Sequence, residues 1–132
     1  MAPGFLKLLV NSPDAPFSLR NTRNGRVVAE RLEPAFDSGT RRRGLMGRDG
    51  LPAGSALVIA PSNSVHTFFM KFPIDVLFVA KDGQVLKIRP AVGPWRITGA
   101  LRGFAVIELP AGAAAAADLR VGDRLEVVPA AR

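Results

Sequence analysis

A hairpin at the centre of the chain is the feature that most constrains its fold. Ile74 to Ala80 is the most β-prone run in the sequence, Lys81-Asp82-Gly83-Gln84 follows it, and Val85 to Ile88 resumes the pattern. An Asp-Gly pair accepts the positive φ angles of a tight turn, so the two runs are predicted to fold back as antiparallel neighbours. Short runs of the same kind recur along the chain. Phe17 to Leu19 and Val27 to Leu32 flank Asn24-Gly25 as a second hairpin that Pro34 closes. Ala56 to Ala60 is a continuous apolar strand, and Phe104 to Leu109 and Arg124 to Val128 supply two more. Phe5 to Val10 reads as a first strand. Val65 to Phe72 alternates, with His66, Phe68, Met70 and Phe72 on one face and Val65, Thr67, Phe69 and Lys71 on the other. Pro90 to Gly103 reads as a long loop or weak strand held down by Trp95 and Ile97.

Two short helices complete the pattern. Asp37 or Ser38 is placed to cap one that runs through Thr40, Arg43, Leu45 and Met46 and ends at Gly47, and the alanine-rich Gly112 to Leu119 forms the other. The sum is mainly β: a single domain over residues 1–132, barrel-like or a double-sheet sandwich, with about eight strands and two short helices.

Composition narrows the chemistry. The chain has no cysteine, which removes disulfides, thiolate metal sites and thiol nucleophiles. Its net charge of +7 comes mostly from arginine, but only Arg41, Arg42 and Arg43 are clustered, so no specific nucleic-acid partner is expected. No run approaches the roughly 18–20 apolar residues of a membrane span, and the N-terminus does not read as an export signal. A cytoplasmic chain is expected, or an exported one if it is a processed product.

Arg43-Gly44-Leu45-Met46-Gly47-Arg48, Leu51-Pro52, Phe69-Met70-Lys71, Pro73-Ile74-Asp75-Val76-Leu77-Phe78 and Asp82-Gly83 together resemble the family called domain of unknown function 192. Pro90, Val106-Ile107-Glu108-Leu109-Pro110-Ala111-Gly112 and Gly122-Asp123 continue the resemblance, which spans about residues 17–128. It implies a small β-rich, barrel-like domain and no established activity. Relatives commonly carry Met-Lys-Asn-Thr before the proline. Here Phe72 stands in that place, so two polar groups are missing.

The candidate ligand-binding residues are Arg48, His66, Lys71, Asp75 and Glu108. His66 is the sole histidine, and a metal bound by it with Asp75 and Glu108 is not expected, because no ligand spacing supports one. No cofactor is implied. Asp75 lies inside an apolar run, where a carboxylate needs a partner, and Arg48 is the expected one. That pair would fix the arginine-rich helix to the sheet. Glu108 alternates with Ile107 and Leu109 and is expected to face solvent, while Phe68, Met70 and Phe72 are expected in the core.

These residues support two readings. The first is a noncatalytic binding domain for a small molecule or protein segment. The second is a hydrolase-like enzyme for an anionic or saccharide-like substrate, with Asp75 and Glu108 as acid and base and Arg48 or Lys71 holding the anion. Only the second requires the two carboxylates to share a cleft.

Overall fold

The computed structural model describes residues 4–130. Ten strands form three sheets: β1 (Phe17–Asn21), β2 (Val27–Ala29), β3 (Arg31–Ala35), β4 (Ser55–Ile59), β5 (Ser64–His66), β6 (Ile74–Val79), β7 (Val85–Val92), β8 (Ile97–Gly99), β9 (Ala105–Pro110) and β10 (Leu125–Pro129). Three short α-helices accompany them among the described residues, α1 (Lys7–Asn11), α2 (Ser38–Arg43) and α3 (Ala113–Ala116). The central sheet has the order β3-β4-β9-β6-β7, a second sheet has β10-β1-β2, and β5 pairs with β8 in a separate ribbon. The sheets do not close into a barrel, so the sandwich is the architecture formed.

The central hairpin forms as its sequence dictates. β6 and β7 pair antiparallel, and Gly83 takes φ +93° in the turn. A Cβ there would stand 2.4 Å from the Leu125 carbonyl oxygen, so only glycine lets β10 approach the turn.

The central sheet is buried on both faces. Leu77, Val79, Val58, Ile107 and Leu109 pack on one face against Leu19, Val28, Leu125 and Val127 of the second sheet. Val76, Phe78, Leu57, Ile59 and Val106 pack on the other against Leu45, Met70 and Val92. Every residue of β6 is therefore buried, which is why that run shows no alternation.

Several expectations give way to this packing. Phe5–Val10 is helical rather than a strand: a 3₁₀ turn, Gly4–Leu6, leads into α1, and Leu6 and Leu9 enter the first core while Leu8 and Val10 stay exposed. Pro34 lies inside β3 and does not close it; among the described residues β3 has no strand partner on its second side, and so tolerates a residue without an N–H. α2 ends at Gly44, not Gly47. Val65 to Phe72 is a strand only through His66, after which the chain turns. Thr67 and Met70 are buried, and Phe68 and Phe72 only partly so. Trp95 and Ile97 are 57% and 71% exposed, so neither is a buried anchor of the segment.

Candidate functional site

β3 and β4 run parallel, so the chain must cross back between them, and that return, residues 36–54, contains α2. The Asp37 side chain accepts from the Thr40 N–H at 2.7 Å and caps α2, whose last turn is Arg41-Arg42-Arg43. Gly44 then turns the chain with φ +48° and ψ −126°, a conformation that an L side chain adopts only under strain. This turn lays the backbone over Glu108 of β9: a Cβ on Gly44 would lie 3.7 Å from Glu108 Oε1.

Glu108 is 1% exposed, correcting the expectation that it faces solvent. The covering of both sheet faces is the reason. Its neighbours across the sheet are Leu57 and Val76, and Oε1 has no hydrogen-bond partner among the described residues. Burial pushes its carboxyl up to about 7, with the positive charge of Arg48 pulling the other way. A protonated carboxyl, able to donate, is therefore well populated at neutral pH.

Above this carboxyl is a pocket of about 190 Å³ lined by Arg41, Arg42, Arg43, Met46, His66 and Glu108, with Ser62 and Ser64 on its wall. Ser62 Oγ donates to the Ser64 carbonyl at 2.9 Å, and His66 Nδ1 accepts from the Phe68 N–H at 3.3 Å. The hydroxyl and Nδ1 thus serve the local backbone, and a serine–histidine relay is not assembled.

The other candidates lie elsewhere. Arg48 makes a two-pronged pair with Glu33, at 2.8 and 2.7 Å, on the far side of Gly44, and does not meet Asp75. That contact holds the Glu33 carboxyl below its ordinary range. Lys71 pairs with Asp49 at 3.4 Å on the surface. Asp75 is buried, as expected, but its partners are backbone donors: Ala91 N at 2.9 Å, Gly112 N at 3.1 Å and Ala114 N at 2.9 Å. It joins the irregular end of the β6–β7 ladder to the start of α3, so its role is to hold the fold together.

Of the five sequence candidates, only His66 and Glu108 share the pocket. The arginine triplet was visible in the sequence only as a charge cluster. Asp123 was visible only as a turn residue, yet it is buried and accepts from Asn21 Nδ2 at 2.8 Å, Arg23 Nε at 2.7 Å and Arg120 N at 2.9 Å. Its hydrogen bond from Arg23 is the main reason its carboxyl lies below the usual range. Asp123 binds β1 to the turn before β10 and lies outside the pocket.

No curated protein matches the sequence. Among solved structures, a protein of unknown function from Novosphingobium aromaticivorans DSM 12444 is 26% identical, with 84% of this chain and 83% of that chain covered and a TM-score of 0.72. A "putative transcription regulator" from Sinorhizobium meliloti 1021 is also 26% identical, with 84% and 91% covered and a TM-score of 0.74. The model of the family described as "Uncharacterized ACR", domain of unknown function 192, matches residues 19–127, and the chain belongs to that family.

Proposed function

We propose that this protein is a noncatalytic binding domain that holds a small anionic ligand in the pocket above Glu108. The observation that carries this reading is the Oε1 atom of Glu108, buried and without a partner among the described residues, in a residue that lines one pocket with Arg41, Arg42 and Arg43. A buried polar atom without a partner costs free energy, which a ligand oxygen would offset by accepting from the protonated carboxyl. The guanidinium groups supply the opposite charge and fork geometry suited to carboxylate, sulfate or phosphate.

The S. meliloti relative's description suggests gene regulation. Among the described residues the helices run only four to six residues, too short to act as a groove-reading helix, so the pocket is the better guide. A second reading draws on the same carboxyl: a group poised near neutrality suits general acid–base work. Asp75 cannot be its partner there, because it points to the opposite face of the sheet. That reading needs a hydrolytic activity that Glu108→Gln abolishes.

The test of the binding reading is thermal stabilisation by sulfate, which does not titrate between pH 5 and pH 8 on the scale of roughly neutral side chains. Sulfate should raise Tm more at the acid end of that range. Glu108→Gln, a permanent donor, should remove the pH dependence, and Arg41→Ala combined with Arg42→Ala and Arg43→Ala should remove the stabilisation. A Tm indifferent to sulfate, phosphate and citrate alike would overturn the reading.

A further inference from the structure

We propose that the ligand of this pocket is a nucleotide unit, its phosphate held by Arg41, Arg42 and Arg43 and its base stacked on the aromatic row Phe68–Trp95–Phe69. The inference rests on the anion-binding reading above and adds a second, independent observation. Phe69 and Trp95 both take left-handed backbone angles, φ +65° and +64°, which are costly for bulky side chains. Yet their side chains are not buried in return: Phe69 is 65% and Trp95 57% exposed. Strain and exposure combine here in the two rings that meet edge to face at 4.8 Å.

The strain is maintained by Thr67, which is fully buried. Its Oγ1 donates to the Gly93 carbonyl at 2.7 Å and accepts from Arg96 N at 2.9 Å, while its carbonyl accepts from Trp95 N at 3.1 Å and Met70 N at 3.2 Å. Both aromatic loops are thus tied to one residue, the Trp95 loop through the Thr67 hydroxyl and carbonyl and the Phe69 loop through its carbonyl, and set in place before any ligand arrives. The row also reaches the pocket. His66 lines it, its ring is 4.9 Å from that of Phe68, and the Phe68 ring is 5.5 Å from that of Trp95.

Ligand class follows from the two ends. At one end, three consecutive arginines, none in an ion pair among the described residues, match the several oxygens of a phosphate better than the two of a carboxylate. At the other, exposed ring faces favour a flat π-system, and the pocket of about 190 Å³ leaves a base outside, over the row. Basic groups beside stacked aromatic rings are the combination by which proteins hold unpaired nucleotides.

Trp95 is the sole tryptophan and the chain has no tyrosine, so intrinsic fluorescence reports directly on the row. The full chain is titrated with inorganic phosphate, ribose 5-phosphate, AMP, an adenine strand of about four nucleotides, and glucuronate. AMP should quench Trp95 and bind about tenfold more tightly than ribose 5-phosphate. Phe69→Ala, at an exposed position, should bring AMP down to the level of ribose 5-phosphate and leave phosphate binding unchanged. A strand that binds more tightly than AMP identifies single-stranded nucleic acid as the source of the unit, and equal affinities identify the free nucleotide. Equal binding of AMP and ribose 5-phosphate without quenching overturns this inference and leaves the anion pocket standing. Glucuronate that binds more tightly than AMP overturns it in favour of an acidic sugar, and binding of none of these anions overturns both readings.

Discussion

Asp75 and Glu108 lie one register step apart on hydrogen-bonded neighbouring strands and point to opposite faces of the central sheet. Asp75 is opposite Leu109, and Val76 is opposite Glu108. Because successive side chains on a strand alternate, this single step sends one carboxylate into a cradle of backbone N–H groups and the other to the floor of the pocket. Mutations at the two positions should accordingly behave as unlike experiments.

Asp75→Ala leaves three backbone donors without their acceptor and is expected to destabilise on the order of 3 kcal/mol relative to the surface control Asp14→Ala. A double-mutant cycle with Arg48→Ala should give coupling below about 0.5 kcal/mol, since the two side chains do not touch. Denaturant unfolding measures both. Strong coupling would mean that Arg48 supports Asp75 after all.

For Glu108 the expected effect is one of pH. Burial holds its carboxyl up to about 7 against an ordinary 4.5, so the unfolded chain loses this proton first as pH rises. The contribution to stability is complete below pH 4.5, falls through the window up to about 7, and is then flat. Wild type should lose on the order of 3 kcal/mol relative to Glu108→Gln across that window. The carboxyls of Glu33 and Asp123 are shifted downward, so their losses occur on the acid side and do not mask it. Parallel pH–stability curves for the two proteins would contradict the assignment.

Gly44→Ala tests the turn over the pocket. The added Cβ finds ordinary contact distance to Glu108, so the cost is in the backbone, about 1–3 kcal/mol for a side chain held at this φ and ψ. Sulfate stabilisation should weaken with it, because the arginines immediately before Gly44 lose their placement. An unchanged Tm and an unchanged sulfate response would show that the turn is not rigid.

Thr67→Val keeps the shape of the side chain and deletes the hydroxyl that serves Gly93 and Arg96. A loss of about 2 kcal/mol is expected for the two backbone groups left unpaired. Acrylamide should then quench Trp95 more readily as its loop loosens. Equal quenching in the two proteins would place the restraint on Trp95 elsewhere.

The parts of the fold legible in the sequence are those whose causes are local. Asp82-Gly83 specifies its own turn, and the neighbours Ile74 and Val76 announce that Asp75 is buried. Its partners were not legible: Gly112 and Ala114 present backbone N–H groups, which every residue has, and nothing in their side chains marks them as acceptors' partners. Glu108 misled for a different reason. An acidic residue between Ile107 and Leu109 reads as the wet face of a half-covered strand, and only the packing of Leu45, from the crossover, and Met70, from the loop after β5, onto that face reverses it. At the N-terminus, Leu6 and Leu9 carried a helical spacing, which the apolar Leu8 and Val10 between and beyond them concealed.

The parallel pairing of β3 and β4 also bears on how this scaffold can change. The return segment that the pairing demands is anchored at both ends in adjacent strands of the buried sheet, while its middle carries the arginines and the glycine turn. Such a segment is a replaceable cassette. Transplanting residues 36–54 from another member of the family would exchange one wall of the pocket and leave the Glu108 floor in place, so new ligand preferences can be sampled without redesigning the hydrophobic interior.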